Sequence, residues 1–221
     1  MTATLDGPRL APAAGGRPKQ LVIFCHGYGA DGNDLIGLGQ QWRGLLPEAA
    51  FVSPHAPQRC TMSSIGYQWF PISRLDPQET WIGVQDAAPA LDAFIDAELA
   101  RNGLDDGQMA LVGFSQGTML ALHVGLRRKR APAAVLGYAG ALAGPEHLDG
   151  QITARPPVML IHGDLDEVIP VSAVHMAAGA LGAADVNVQW HVSPGIGHGI
   201  DGAGLALGGE FLRTALATSR V

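Results

Sequence analysis

Short runs rich in apolar residues recur along the chain, and most of them end at glycine, proline or a polar residue. The runs are 20–25, 49–54, 109–114, 133–140, 157–163 and 186–192. Continuous apolar runs of this length are typical of strands that are buried on both faces, as they are in a parallel sheet. The pattern therefore predicts a mostly parallel central sheet.

Stretches in which apolar residues have helical spacing separate most of these runs. They are 34–46, 85–101, 115–128, 171–181 and 204–217. Strands that alternate with helices imply an α/β fold, with helices on both faces of the sheet. Residues 1–19 are rich in proline, glycine and alanine and predict an N-terminal arm with a short edge strand at 8–11. No repeat or linker interrupts residues 20–221, which are expected to form a single domain.

Composition narrows the class of protein. The chain has 221 residues, of which 47% are hydrophobic and 15% charged, and this favours one domain with a sizeable core. Its formal net charge of −6 offers no basic surface, so a nucleic-acid partner is not expected. The chain has two cysteines, Cys25 and Cys60, which suits a reducing compartment, and we interpret the protein as cytoplasmic. We expect neither a secretory signal nor stable membrane insertion, since no apolar run approaches about 20 residues.

One serine lies between a predicted strand and a predicted helix, in the sequence Gly113-Phe114-Ser115-Gln116-Gly117. This is the G-x-S-x-G pattern of a nucleophile elbow, where side chains at 113 and 117 would collide with neighbouring backbone. The helix that follows would direct N–H groups at a developing anion. A simple surface loop is the alternative, which the flanking strand and helix disfavour.

A serine hydroxyl attacks only with the help of a base, and a third group must orient that base. Asp164 and Asp166 follow the run 157–163, and we favour Asp166 as the acid. Asp164 is better suited to stabilising the turn, and Glu167 is the third choice for the acid. His198 follows the run 186–192 in a glycine-rich loop and is the predicted base. The order serine, acid, histidine is that of α/β hydrolases. A structural role is the better interpretation for the histidines in or at the ends of predicted strands, which are His26, His55, His162 and His191. The remaining three are not placed after a strand as the base should be: His123 and His175 fall on predicted helices, and His147 lies in a connecting segment.

Acyl transfer also needs N–H donors for the oxyanion. The backbone of Gln116, directly after the serine, is the first candidate. The glycine-rich loop at 26–34 is the second source, and we predict Tyr28 as its donor. A phosphate cradle is the alternative function of such a loop, but no Lys-Ser/Thr pair follows it.

Six motifs together resemble the phospholipase/carboxylesterase family of α/β hydrolases, which includes acyl-protein thioesterases. They are "FCHGYGADGNDL", "FVSPHAPQRC", "YQWFPI", "GFSQGTMLAL", "HGDLDEVIP" and "GIGHGI", and the resemblance covers roughly residues 20–215. It implies the same triad of Ser115, Asp166 and His198, with Tyr28 and Gln116 as oxyanion donors. It also implies an α/β-hydrolase catalytic domain that uses no cofactor and no metal.

The chain departs from this family where the substrate would bind. Pro71 follows Trp69 and Phe70, where family members often carry aspartate, and Tyr28 replaces a frequent leucine. We expect the segment between Pro57 and Asp76 to form a wall of the acyl pocket. The candidate substrate contacts are Met62, Trp69, Phe70 and Val168, for which ordinary core packing is the alternative.

The expected function is hydrolysis of small carboxylic esters, extending to acyl-thioesters, through an acyl-enzyme. A lysophospholipase or an acyl-protein thioesterase on the same triad is the alternative. A non-catalytic ligand-binding domain is a remote third hypothesis, since all three triad candidates are present. Apolar residues of the segment at 57–76 suit either a substrate mouth or the seam of a homodimer, and the sequence leaves both open.

Overall fold

A seven-stranded sheet organises the computed structural model, which describes residues 4–60, 65–74 and 76–218. The strands in chain order are β1 (Arg9–Leu10), β2 (Gln20–Cys25), β3 (Ala49–Val52), β4 (Gln58–Arg59), β5 (Tyr67–Gln68), β6 (Met109–Phe114), β7 (Ala134–Tyr138), β8 (Val158–Gly163) and β9 (Val188–Ser193). The helices are α1 (Gly32–Trp42), α2 (Pro77–Asn102), α3 (Gln116–Gly125), α4 (Ser172–Ala183) and α5 (Gly202–Thr218).

The strand order in the main sheet is β1-β3-β2-β6-β7-β8-β9. All neighbouring pairs are parallel except β1, which runs antiparallel to β3 at the edge. Each of the six apolar runs matches one of the parallel strands to within two residues at either end, and the edge strand predicted at 8–11 is β1. The predicted mostly parallel central sheet is thereby confirmed.

Burial on both faces explains why the inner strands of the sheet are almost continuously apolar, whereas the edge strand β9 is partly exposed and also carries polar residues. Along β2, Ile23 and Cys25 belong to one core cluster, together with residues of α2, α3 and α4. Val22 and Phe24 belong to a second cluster, with residues of α1 and α5. Successive side chains of a strand point to opposite faces, so a strand covered on both sides needs apolar residues at every position.

Helices α1 and α3 end three to four residues before their predicted ends, and two further differences from the sequence prediction are larger. Helix α2 begins at Pro77 and not at 85, because the Asp76 side chain accepts hydrogen bonds from the backbone N–H groups of Gln78 (2.8 Å) and Glu79 (3.2 Å). An aspartate N-cap followed by proline is a helix-start signal that the apolar spacing of the first two turns does not show. The segment at 57–76 also contains a small antiparallel pair, β4 with β5, that the sequence did not predict.

Helix α3 carries a buried histidine, His123, with one ring nitrogen that accepts or donates no hydrogen bond within the described residues. The His123 ring lies edge-on to Trp81, with centroids 5.4 Å apart, and its Nδ1 has no hydrogen-bond partner in the described part of the chain. Burial, assisted by the positive charge of Arg127, lowers the pKa of His123 to about 4. The folded protein therefore holds this imidazole neutral where an unfolded chain would protonate it.

Acid should destabilise the fold through His123. As the pH falls below about 6.5, His123 becomes protonated in the unfolded chain, whereas in the folded state it stays neutral down to about pH 4. Because the unfolded state binds more protons in this range, the free energy of unfolding falls as the pH is lowered through it. We expect wild type to lose about 2–3 kcal/mol more than His123→Phe between pH 7 and pH 4.5. Urea unfolding of both proteins at the two pH values measures this difference. Equal losses in the two proteins would contradict it.

Candidate active site

Ser115 adopts a backbone conformation that favours glycine. It lies between β6 and α3 with φ 54° and ψ −117°, and its side chain makes no capping hydrogen bond to α3. A Cβ at Gly113 would overlap the backbone of Thr118, and a Cβ at Gly117 would overlap the carbonyl oxygen of Cys25. These contacts explain the two flanking glycines. The turn holds a half-buried hydroxyl at the end of β6 under backbone strain, as in a nucleophile elbow.

Asp166 and His198 form a hydrogen-bonded pair. The Nδ1 atom of His198 lies 2.7 Å from the Oδ2 atom of Asp166, whose side chain is buried. The other oxygen, Oδ1, accepts hydrogen bonds from the N–H groups of Val168 (2.9 Å) and Ile169 (2.8 Å). Burial alone would raise the pKa of Asp166, but the bonds from His198 and the two N–H groups outweigh it and lower the pKa. The carboxylate is thus held ionised beside the imidazole.

Close backbone contacts join the loop after β8 to the loop after β9. The N–H of Leu165 donates to the carbonyl of Ile196 at 2.9 Å, and the N–H of Gly195 donates to the Asp164 carboxylate at 2.6 Å. A Cβ at Gly163 would overlap the carbonyl oxygens of Ile196 and Gly197. Asp164 therefore ties the two loops together, while Asp166 faces the histidine. Glu167 is exposed, and among the described contacts none joins it to His198.

The three triad candidates lie at one edge of the sheet. Ser115 directly follows β6, Asp166 follows β8, and His198 follows β9, and these parallel strands end at the same edge. The ring of Phe114, the neighbour of Ser115, lies 5.0 Å from the His198 ring. The elbow and the histidine loop therefore meet at this edge, which is where α/β folds place their ligands.

His162 is a second imidazole beside the same acid. Its Nε2 atom lies 2.8 Å from the carbonyl of Ile169 and 3.2 Å from Oδ2 of Asp166, and its side chain is buried. Sequence reasoning assigned His162 only a structural role because it lies in a strand. The signal available was its spacing of four residues from Asp166 across a sharp strand exit. The contact shows that the acid loop is braced from within the strand.

Both candidate oxyanion donors lie near this edge. Gln116 is the first residue of α3, so its backbone N–H precedes the helix's internal hydrogen bonds. Its buried side chain accepts from the N–H of Trp69 (2.9 Å) and donates to the carbonyl of Phe70 (2.8 Å). Tyr28 lies in the loop between β2 and α1, and its neighbour Gly29 donates to the carbonyl of Tyr67 at 2.9 Å.

An apolar cavity of about 390 Å³ lies beside the elbow and the acid loop. Its walls include Met119, one turn after Ser115, together with Val168 and Ile169 next to Asp166. Helix α4 contributes Ala177, and the loop after β7 contributes Ala141. The volume is within the range of small-molecule sites.

The predicted acyl-pocket residues divide between this cavity and the core. Val168 lines the cavity. Trp69 and Phe70 are each 1% exposed and belong to the hydrophobic core, where Phe70 packs against Gly83 of α2. Their side chains are absent from the cavity wall, in agreement with the alternative of ordinary core packing. Met62 lies outside the described residues.

The described residues contain neither a candidate metal centre nor a candidate membrane-spanning helix. Within 4–60, 65–74 and 76–218, no group of three or more His, Cys, Asp or Glu side chains is arranged to hold a metal ion. Across the same residues, no helix combines the length and apolar character needed to cross a bilayer.

Comparisons with known proteins agree with these features. The sequence model of the phospholipase/carboxylesterase family matches residues 12–216. The chain is 27% identical to acyl-protein thioesterase 1 of Gibberella zeae over 215 residues, which cover 90% of this chain and 91% of the relative.

Solved structures give the same result. The crystal structure of esterase PE8 is 42% identical in sequence with a TM-score of 0.93, and the match covers 97% of this chain and 100% of that one. A phospholipase/carboxylesterase from Dyadobacter fermentans is 25% identical with a TM-score of 0.74, covering 98% of each chain.

Proposed function

Because the chain belongs to the phospholipase/carboxylesterase family and is a carboxylic ester hydrolase, we propose that it acts through a Ser115–His198–Asp166 triad and an acyl-enzyme. The observation that carries this proposal is the 2.7 Å bond between Asp166 and Nδ1 of His198 at the sheet edge where strained Ser115 lies. With Nδ1 directed at the carboxylate, Nε2 is the nitrogen left to accept the Ser115 proton.

The proposed reaction has two halves. Ser115 Oγ bonds to the ester carbonyl carbon while His198 Nε2 takes its proton, and the carbonyl π electrons move onto oxygen. Collapse of this tetrahedral intermediate breaks the bond to the leaving alcohol or thiol, which takes the proton from His198. Water then attacks the acyl-enzyme, gives its proton to the same nitrogen, and releases the acid as the Ser115 hydroxyl is restored.

The N–H groups of Gln116 and Tyr28 are proposed to bind the oxyanion. The Gln116 N–H is supported by its position at the start of α3, where orphan donors and the helix dipole favour negative charge. The Tyr28 donor is supported by the hydrogen bonds that anchor the residues on either side of it. Preorganised donors of this kind are worth about 3 kcal/mol of barrier each.

The apolar cavity is the proposed acyl site. Met119 connects it to the elbow and Val168 connects it to the acid loop, so an acyl chain seated there presents its carbonyl to Ser115. We therefore propose esters of apolar carboxylic acids as the substrate class. Thioesters of the same acids are the second candidate, favoured by the similarity to a relative named acyl-protein thioesterase 1.

Labelling with a fluorophosphonate tests the proposed mechanism. We expect one adduct by intact mass, assigned to Ser115 by peptide mapping, and hydrolysis of nitrophenyl esters that is lost in proportion to labelling. Acyl-thioesters with the same acyl chains, assayed in parallel, decide between the two substrate candidates. A well-folded protein that forms no adduct would contradict the role proposed for Ser115 as the nucleophile.

Filling the cavity should shorten the acyl chains that the enzyme accepts. Ala177→Leu adds apolar volume to the cavity wall from α4, so we expect kcat/KM to fall about 10-fold or more for octanoyl esters and by less than about twofold for acetyl esters. A chain-length series on nitrophenyl esters measures this selectivity. Ala178→Leu is the matched control, since Ala178 is the next residue of α4 and is half-buried away from the cavity. An unchanged profile in Ala177→Leu would exclude this cavity as the acyl site.

A further inference from the structure

The segment from Tyr67 to Phe70 contacts both the loop that carries Tyr28 and the start of α3, which carries Gln116. On the Tyr28 side, Gly29 N–H donates to the Tyr67 carbonyl (2.9 Å), and Tyr67 N–H donates to the Ala30 carbonyl (2.8 Å). The indole Nε1 of Trp69 also donates to the carbonyl of His26 at 2.9 Å. Three hydrogen bonds therefore fix this loop from residues 26 to 30.

The same segment is bound to the other donor residue through a side chain. The amide oxygen of Gln116 accepts from Trp69 N–H at 2.9 Å, and its amide nitrogen donates to the Phe70 carbonyl at 2.8 Å. Gln116 and Trp69 are each 1% exposed, so these bonds are shielded from competing water. A hydrogen-bonded chain thus runs from His26 through Trp69 to Gln116.

We propose that Trp69 and the side chain of Gln116 are positioning residues that hold the two oxyanion donors at a fixed separation. This inference rests on the proposed function, because it assumes that the N–H groups of Tyr28 and Gln116 bind the oxyanion. Trp69 is bonded to both sides at once, through its indole to His26 and through its backbone to Gln116. It lines no part of the described cavity, so it acts through the loops and not by touching the acyl chain.

Such a brace has a defined kinetic signature. Oxyanion donors stabilise charge that is present only in the transition state, so a loss of their alignment lowers kcat while ground-state binding, and with it KM, stays nearly constant. Displacements of about 1 Å in a catalytic group cost up to about 100-fold in rate. A residue that only stabilised the fold would change the free energy of unfolding and leave both kinetic constants of the folded enzyme in place.

Trp69→Phe removes the indole donor and keeps an aromatic ring in the core. We expect kcat on a nitrophenyl ester to fall about 10- to 100-fold, KM to change less than about twofold, and affinity for a trifluoromethyl ketone to fall with kcat. That inhibitor forms a tetrahedral oxyanion adduct on an active serine and so reports on the hole itself. Gln116→Met, which removes both side-chain bonds at similar length, is expected to act in the same way.

Trp42→Phe is the matched control on the opposite face of the sheet. Trp42 is 3% exposed, stacks on Phe24, and donates its indole N–H to the carbonyl of Leu205 at 3.1 Å. We expect a comparable loss of stability in urea unfolding and unchanged kcat and KM. Equal kinetic constants in Trp69→Phe and wild type, or a change confined to KM, would overturn the brace.

These experiments distinguish a failure of the brace from a failure of the proposed function. If wild type labels at Ser115 and hydrolyses esters, and Trp69→Phe has unchanged kinetic constants, then the proposed triad is retained and only the brace is rejected. A second test is the double variant: if both residues serve one brace, Trp69→Phe with Gln116→Met loses clearly less than the product of the two single effects. Independent, multiplicative losses would overturn the shared brace. Wild type that neither labels nor hydrolyses would overturn both proposals.

Discussion

Ser115→Ala is expected to lose at least about 10⁴-fold in kcat on a nitrophenyl ester while the chain folds as wild type does. Alanine keeps the Cβ of serine, so the backbone strain at φ 54° is unchanged and only the nucleophilic oxygen is removed. The residual rate would come from binding and the oxyanion donors alone. Steady-state kinetics, with fluorophosphonate labelling as the second readout, measure the loss.

Ser115→Gly separates catalysis from strain at the same residue. Glycine adopts this backbone conformation without the steric penalty of a Cβ, so we expect the variant to be as inactive as Ser115→Ala but more stable, by up to about 1 kcal/mol. Urea unfolding of the three proteins tests this order. Substantial turnover in either variant would contradict the role of Ser115, whereas a less stable glycine variant would contradict only the strain.

Much of the fold could be predicted because its strands are buried on both faces. Residues such as Val22 and Ile23 belong to different core clusters, so the inner strands β2, β6, β7 and β8 are apolar almost throughout and are easy to recognise in the sequence. The candidate site could be predicted for a related reason. Once parallel strands are placed, the residues that follow them must share one edge of the sheet, and Ser115, Asp166 and His198 all follow strands.

The features of the site that could not be predicted depend on contacts between residues that are distant in the sequence. Trp69 and Phe70 are aromatic residues of the kind that often line ligand pockets. Only their burial and their hydrogen bonds to His26 and Gln116 show that they belong to the core. Residues from four separate segments of the chain line the cavity, so no local sequence pattern predicts it. His162 carried a weak signal, since a strand residue ordinarily has a structural role. Sequence patterns thus identify residues that share an element more reliably than residues that meet in space.

The second large effect is expected at Asp166. Asp166→Asn replaces the carboxylate that faces Nδ1 of His198, so the imidazole loses both the stabilisation of its positive charge and the acceptor that selects its tautomer. We expect kcat to fall about 10³- to 10⁴-fold with little change in KM. The measurement is steady-state hydrolysis of a nitrophenyl ester, with circular dichroism to verify the fold.

Asp164→Asn is the matched control, because Asp164 lies two residues away in the same loop and, among the contacts described, its side chain bonds only to the N–H of Gly195. Asparagine keeps an oxygen that can accept this bond, so we expect kcat to stay within about 10-fold of wild type. The two substitutions remove the same charge from the same loop, and a general electrostatic effect would therefore lower both rates alike. A large loss confined to Asp166→Asn would instead assign the effect to the contacts that Asp166 makes and Asp164 does not, namely those with His198, with His162 and with the N–H groups of Val168 and Ile169.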